Sequence, residues 1–178
     1  NDTFTNRAEI IREKGTNRAS FMNGEVSKYS WVDIGSSFLP GELTAAFLWA
    51  QLQEGRLITA KRREIWDFYH KIFQDLESTK KIKRPTIPEN IFHNGHIYYI
   101  LLSSNSKRDE FIESMKSKGV HCVFHYSPLH SSKIGKQLGR ISGDLSITDD
   151  ISSRLVRLPI WLGIDQIKVS QCVRDSLT

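Results

Sequence analysis

The sequence predicts an α/β fold, and two apolar runs with a helix between them carry that prediction. The run HIYYILL at residues 96–102 is rich in β-branched and aromatic residues, as strands are. A second run, VHCVF at residues 120–124, follows after a helical pattern. A strand, a helix and a strand in succession are typical of a βαβ-like unit. We therefore expect a sheet in the second half of the chain.

The first helical pattern covers residues 6–14, where apolar side chains recur on one side. Gly15 follows and ends this helix. Residues 15–40 show no periodicity and are predicted to be irregular. A polar connection of this length is unusual in a compact domain and tends to be functional.

Residues 41–77 carry the longest helical pattern, with apolar side chains spaced i, i+3, i+4 and i+7. Gly55 kinks or divides this helix, because glycine costs about 1 kcal/mol relative to alanine in a helix interior. The apolar stripe is most simply a core face. Trp49 and Trp66 are accordingly interpreted as packing residues, since large aromatic side chains usually serve burial.

The elements after the first strand are predicted from their ends. Ser106 caps a helix that runs to about residue 118. Thr148 opens another helix, whose acidic first turn suits the positive end of the helix dipole. The segment RLVRLPIW at residues 154–161 passes into a short extended piece, and a final amphipathic helix begins at Gly163 or Asp165.

Composition places the chain among globular proteins. Its 178 residues suffice for one ordinary domain with a sizeable core, and 39% hydrophobic with 25% charged residues argues against a disordered chain. The net charge is +5, and the one basic cluster is KKIKR at residues 80–84. A solvated loop explains that cluster most simply. Nucleic-acid binding is the weaker alternative, which a salt-dependent gel shift would expose.

Cysteine usage and hydropathy indicate a cellular compartment. Cys122 and Cys172 are too few and too far apart for a disulfide scaffold or a zinc site, so reduced thiols in a cytosol fit best. No apolar run approaches the ~20 residues that a membrane span needs, and no stretch resembles a signal peptide. We expect a cytoplasmic protein without a membrane partner.

The segment VFHYSPLH at residues 123–130 concentrates polar aromatic side chains directly after a predicted strand. His121 and His125 would lie about 13 Å apart in an extended strand, too far for one metal ion. No acid or cysteine completes a ligand set with them and His130, so no metal site is expected. Tyr126 and the histidines could bind hydroxyl groups, since ligands favour the carboxyl ends of strands. A strand-end turn with two exposed histidines is the simpler alternative, and it remains open.

Five segments of the chain carry a resemblance to a known family: RAEIIREKGTNR (7–18), KYSWVDIGSSFLPGELTAAFLWAQL (28–52), HIYYILL (96–102), VFHYSPLH (123–130) and RLVRLPIW (154–161). In this order and at these separations, they resemble the DegT/DnrJ/EryC1 family of pyridoxal-phosphate-dependent aminotransferases, which act on nucleotide-linked keto sugars. The motifs REKGTNR and DIGSS are most similar to those of the dTDP-4-amino-4,6-dideoxygalactose transaminases, which serve surface polysaccharides such as enterobacterial common antigen.

The resemblance implies the C-terminal portion of a fold-type-I aminotransferase: a long helix, then a small α/β domain with a short sheet flanked by helices. Residues 1–79 would form the tail of the large domain with an inter-subunit loop, and residues 80–178 the small domain. Family members are about twice this length, and their Schiff-base lysine lies in the half that precedes such a segment. We therefore expect no catalytic residue in this chain and no activity of the chain alone.

For the cofactor, the resemblance implies that the loop containing Gly35, Ser36 and Ser37 reaches a neighbouring subunit and helps to hold the phosphate of pyridoxal 5′-phosphate. Many relatives have asparagine at the position of Leu39, so that position is left out. A loop of this kind needs a second subunit, and the complete enzyme is expected to be a homodimer.

For the substrates, the resemblance implies contacts of His125, Tyr126 and His130 with the sugar or phosphate of a dTDP-linked keto sugar. Arg18 is expected to face a diphosphate, although an ordinary surface arginine explains it equally well. The implied reaction moves an amino group from glutamate to C4 of a dTDP-4-keto-6-deoxyhexose. The alternatives are transfer at another sugar position or on another nucleotide sugar, and a non-catalytic relative that binds a nucleotide sugar or regulates a partner.

Overall fold

The computed structural model describes residues 2–177, and only the backbone of Asp2. The chain forms two compact units, with the boundary between Glu54 and Gly55. The domain boundary expected after residue 79 concerns the complete enzyme and stays a prediction. None of the helices within 2–177 is both long and apolar enough to cross a membrane.

The first unit is mainly helical. Its elements are a 3₁₀ turn (Asp2–Phe4), α1 (Thr5–Arg12), α2 (Arg18–Met22) and α3 (Glu42–Gln53). The helix predicted over 6–14 is confirmed as α1. The connection over 15–40 is irregular as predicted, except for α2. This short helix was not predicted, because its residues show no periodic apolar pattern.

The second unit is an α/β unit. Its elements are α4 (Gly55–Ile72), α5 (Gln74–Ser78), β1 (Tyr98–Leu101), α6 (Asn105–Ser117), β2 (Val123–Phe124), α7 (Lys133–Leu138), α8 (Ser146–Arg154), β3 (Leu155–Leu158) and α9 (Gln166–Asp175). The predicted long helix is thus divided, and α4 begins at Gly55, where the division was expected.

The sheet has the order β1-β3-β2, and β3 pairs antiparallel with both neighbours. Tyr99 lies opposite Arg157, and Arg157 lies opposite Val123 on the other side. The succession of strand, helix and strand is present, but β1 and β2 do not pair with each other. The segment expected to be only a short extended piece supplies the central strand, because its alternating residues bury one face.

The core of the second unit lies between the sheet and its helices. Tyr69, Phe73 and Tyr98 are fully buried, and the ring of Tyr69 lies 5.8 Å from that of Phe73 and 5.4 Å from that of Tyr98. Trp66 is buried as predicted. The prediction was wrong for Trp49, which is 66% exposed on α3, a helix without a buried residue.

The N-terminal caps of two helices, α6 and α9, can be compared with the caps predicted from the sequence. The side chain of Ser104, two residues before the predicted cap Ser106, accepts a hydrogen bond from the backbone N–H of Lys107. Asp165 caps α9 as predicted, and its carboxylate accepts a 2.9 Å bond from the backbone N–H of Lys168. The cap of α6 was missed because two serines stand within reach of that first turn.

Candidate ligand-binding site

The segment that follows β2 presents two aromatic side chains in contact with each other. The rings of His125 and Tyr126 are 4.2 Å apart and tilted by 58°. Tyr126 is 65% exposed, and its hydroxyl accepts a long hydrogen bond of 3.5 Å from Nη1 of Arg157 on β3. The central strand therefore places a guanidinium beside the loop that the sequence singled out.

Two cavities open on either side of this loop. The first, of about 420 Å³, is lined by Trp66, Pro85, Ile87, His93, Asn94, Gly95, His96, Ile97, Tyr99, His125 and Leu155. The second, of about 330 Å³, is lined by Arg108, Phe124, Tyr126, Ser127, Pro128, Asp149, Ser152 and Ser153. Among the described residues, no acidic side chain lines the first cavity, whereas Asp149 lines the second. His125 and Tyr126 thus belong to different cavities although they are adjacent in the chain.

The environment of His125 favours the neutral imidazole. Partial burial lowers its pKa below the ordinary value, and the positive charges of Arg157 and His96 lower the pKa further. A neutral imidazole offers one N–H donor and one acceptor nitrogen. The side chain can therefore bind a hydroxyl group or a phosphoryl oxygen without carrying a charge itself.

His130 faces α8 and is not one of two exposed histidines. Its side chain is 16% exposed, and Nε2 lies 3.0 Å from Oδ1 of Asp149. The buried Nε2 has no hydrogen-bond partner among residues 2–177, so the contact with Asp149 is a close approach of the two side chains and not a hydrogen bond. Asp149 lines the second cavity, which places His130 on the same side of the loop as Tyr126.

The Gly35–Ser37 loop of the first unit is held by its backbone. Ser36 N–H donates to the carbonyl of Ile11 at 3.0 Å, and Ser36 C=O accepts from Lys14 N–H at 3.1 Å. A Cβ at Gly35 would lie 2.2 Å from the backbone nitrogen of Gly15, so glycine is required there for close backbone packing. Ser36 and Ser37 are both exposed.

Arg18 lies in the first unit, at the start of α2. Its Nε lies 3.2 Å from Oε1 of Glu13, and half of its side chain is exposed. The expected contact of Arg18 with a diphosphate stays a prediction, and a ligand would have to compete with the Glu13 carboxylate for the guanidinium.

The basic cluster at residues 80–84 is partly tied into the fold. Arg84 Nε donates to the Glu77 carboxylate at 2.8 Å, and Lys81 Nζ donates to the Leu177 carbonyl at 3.0 Å. No group of three or more potential metal ligands occurs among the residues that the structure describes.

Arg157 and the histidines of the first cavity, His93 and His96, were missed by the sequence-based site prediction. The signal for Arg157 was present: in RLVRLPIW it stands between two residues, Val156 and Leu158, that point into the core. An arginine on the opposite face of a central strand is a better candidate for ligand contact than one on a helix surface.

A sequence profile of the DegT/DnrJ/EryC1/StrS aminotransferase family matches residues 1–176. The chain belongs to this family. Over 171 residues it is 25% identical to dTDP-4-dehydro-2,3,6-trideoxy-D-glucose 4-aminotransferase of Saccharopolyspora spinosa, a match that covers 93% of the chain and 43% of that enzyme. This family member thus spans less than half the length of the curated relative.

Solved structures of sugar aminotransferases share the fold of this family member. Helicobacter pylori PseC, an aminotransferase involved in the biosynthesis of pseudoaminic acid, gives a TM-score of 0.81 at 19% identity, over 99% of the chain and 47% of PseC. The PLP-form of the putative sugar aminotransferase Spr1654 of Streptococcus pneumoniae gives 0.73 at 18% identity, over 94% of the chain and 41% of that protein. The expected fold class is confirmed.

Proposed function

We propose that this chain is the nucleotide-sugar-recognising part of a pyridoxal-phosphate-dependent aminotransferase. The enzyme would move an amino group from glutamate to C4 of a dTDP-4-keto-6-deoxyhexose and form dTDP-4-amino-4,6-dideoxygalactose for surface-polysaccharide synthesis in the cytoplasm. The observation that carries the proposal is the loop after β2, where His125 and Tyr126 face two cavities. A relative named for a dTDP-linked sugar supports dTDP as the carrier.

The residues of the Gly35–Ser37 loop fit a phosphate group. Ser36 and Ser37 are exposed, and no bond of either hydroxyl occurs among the described residues, while the backbone is anchored to α1. Hydroxyl groups on a rigid loop are good donors for a phosphate and lose little entropy on binding. When bound, pyridoxal 5′-phosphate supplies the electron sink for amino-group transfer. Ser36 and Ser37 would hold its phosphate.

The apolar surface of α3 supports a homodimer. Leu43, Phe47, Trp49 and Leu52 are between 65% and 89% exposed, although an apolar helix normally buries such side chains. We propose that a second subunit covers this helix. Sedimentation should show self-association that Phe47→Glu weakens. A well-behaved monomer over the whole concentration range would contradict this part of the proposal.

Binding of nucleotides to the chain itself tests substrate recognition. We expect dTDP and a dTDP-linked hexose to shift NMR signals of His125 and Tyr126 and to bind more weakly to Tyr126→Ala. UDP serves as the competing nucleotide, because equal binding of UDP would contradict the choice of dTDP. Unchanged binding to the variant would show that this loop is not the recognition site.

Turnover by the chain alone tests its dependence on further catalytic residues. With pyridoxal phosphate, glutamate and a dTDP-4-keto-6-deoxyhexose, we expect no product above the no-protein control, because no lysine of this chain stands in the sequence context of the cofactor lysine. Turnover above that control would refute this expectation. Binding of the nucleotide sugar by a longer, cofactor-loaded chain that nevertheless lacks turnover would instead favour a non-catalytic binding protein.

A further inference from the structure

Within residues 2–177, the guanidinium of Arg157 has a hydrogen-bond neighbour but no carboxylate counter-ion. Arg157 lies on the central strand, half-buried, between Tyr99 on one side and Val123 on the other. Its one hydrogen bond among the described residues is the 3.5 Å contact with the hydroxyl of Tyr126. The arginines Arg84, Arg154 and Arg174 of the same unit each pair with a carboxylate, which Arg157 does not do within 2–177.

The region around Arg157 is positively charged on the side of His125. The charged groups that act on His125 are Arg157 and His96, and no carboxylate is among them. Tyr126 adds a hydroxyl that can donate to a ligand while it accepts from Arg157. A cation without a paired carboxylate creates a positive local potential, which an anionic ligand lowers. The Asp149 carboxylate, which lines the cavity of Tyr126, lies against His130 instead.

The geometry of a guanidinium limits the ligand. Its planar set of N–H donors matches two oxygens of a phosphate or a carboxylate. A carboxylate presents two oxygens in one plane. A diphosphate presents more oxygens and more charge, and it can contact the Arg157 guanidinium and the Tyr126 hydroxyl together, because Nη1 and the hydroxyl oxygen lie 3.5 Å apart. Arg157 lies on the central strand β3 and Tyr126 in the loop after β2, so the two groups come from separate elements of the fold.

We propose that Arg157 is a ligand-binding residue that holds the diphosphate of a nucleotide-linked ligand, together with the hydroxyl of Tyr126. The inference rests on the proposed function for the nature of the ligand, since it names the part of the ligand that this site recognises. The inference adds Arg157, which lies outside the loop after β2, to the proposed site. The positive charge of Arg157 makes the site selective for anionic ligands.

Titration of the 178-residue chain with inorganic pyrophosphate, dTDP and glutamate tests the assignment by calorimetry. We expect Arg157→Gln to weaken the binding of pyrophosphate and of dTDP about tenfold or more, because a charge-assisted hydrogen bond is lost. The affinity of Arg157→Lys should lie between those of the wild type and Arg157→Gln, since lysine keeps the positive charge but lacks the planar pair of N–H donors. Arg140→Gln, an exposed arginine of the same unit, should bind like the wild type. Circular dichroism of each variant verifies that the fold is kept.

The outcomes separate this inference from the proposed function. Wild-type binding of pyrophosphate that Arg157→Gln leaves unchanged, or no binding of pyrophosphate at all, would overturn the role of Arg157. Weaker glutamate binding with unchanged pyrophosphate binding would show that the anion is a carboxylate and would overturn the diphosphate. If the chain does not distinguish dTDP from UDP but pyrophosphate still depends on Arg157, the choice of nucleotide fails and the anion site stands.

Discussion

The hydroxyl of Tyr69 on α4 donates a 3.1 Å hydrogen bond to the carbonyl oxygen of Pro159, directly after β3. Tyr69 is fully buried, and the two residues are 90 positions apart in the chain. The bond joins the long helix of the second unit to the end of the central strand, two residues beyond Arg157. It therefore helps to fix the strand that carries the proposed anion-binding residue.

Replacing Tyr69 by phenylalanine should lower the free energy of unfolding by about 1–2 kcal/mol, because the Pro159 carbonyl loses its donor in a buried place. Urea denaturation would show a lower midpoint with an unchanged slope. Tyr99→Phe is the matched control, since Tyr99 is half-buried on β1 and its hydroxyl has no hydrogen bond among the described residues. Equal effects of both substitutions would contradict a specific role of the bond.

Glu77 should make the second unit sensitive to acid. Burial raises the pKa of its carboxyl, but the hydrogen bonds from the backbone N–H and the guanidinium of Arg84 outweigh burial and hold the pKa below 4.5. A lowered pKa in the folded state contributes stability above pH 4.5, which is lost as the pH falls through the folded value. Melting temperatures should therefore fall less steeply below that pH in Glu77→Gln.

Glu113→Gln provides the comparison for this pH dependence. The Glu113 carboxylate lies on the exposed surface of α6, 3.9 Å from Lys116, and a surface pair of this kind contributes little. We expect its melting curve against pH to follow the wild type. Parallel curves for Glu77→Gln and the wild type in the acid range would disprove the contribution of Glu77.

Gly15 and Gly24 offer a matched pair for the first unit. Both have a left-handed backbone, with φ of +77° and +75°, but a Cβ at Gly15 would lie 1.7 Å from the Asp33 carbonyl oxygen, whereas a Cβ at Gly24 would meet nothing within 4 Å. Gly24→Ala should cost about 1 kcal/mol for the backbone conformation alone. Gly15→Ala should cost more and should break the bonds from the Val32 and Asp33 N–H groups to the Gly15 carbonyl.

Amide hydrogen exchange would resolve the two glycine variants. In Gly15→Ala, exchange at Val32 and Asp33 should become faster, and in Gly24→Ala it should stay as in the wild type. The same protection of these two amides in both variants would mean that the loop does not depend on the close approach at Gly15.

Both cysteines should be unreactive in the folded chain. Cys122 and Cys172 are free and buried, and burial raises the pKa of the Cys122 thiol to about 12. Because the thiolate is the reactive form, a thiol reagent such as DTNB should react only after unfolding, when two thiols per chain become accessible. Rapid modification of either thiol in the native chain would indicate local opening around α9 or β2.

Kinetics in a chain that also supplies the cofactor lysine would test the loop after β2. Tyr126→Ala and His130→Ala should each raise the KM for the nucleotide sugar, about tenfold if one charged or bidentate contact is lost, and raise the KM for glutamate much less. His121→Ala is the control, because His121 is exposed and lies two residues before β2, outside the loop. A larger change in the glutamate KM would place these residues at the amino-donor site.

Short-range patterns were sufficient for most elements of the second unit. Ile65, Tyr69 and Phe73 follow the spacing of a buried helix face, and they are buried. The residues of α3 follow a similar spacing and are exposed, because spacing shows which side chains share a face but not whether anything covers it. Whether a surface covers the helix depends on tertiary and quaternary contacts, and none within residues 2–177 buries a residue of α3.

The order of the strands in the sheet could likewise not be predicted from local sequence patterns. Strand β3 comes last in the chain but lies in the centre of the sheet, because pairing is decided by contacts between residues that are more than thirty positions apart. The sequence alone was sufficient to identify the motifs that resemble the family and the polar segment from His125 to His130. Tertiary structure placed Arg157 beside Tyr126, turned His130 towards Asp149 and divided His125 from Tyr126 between two cavities, since each of these relations joins separate elements of the fold.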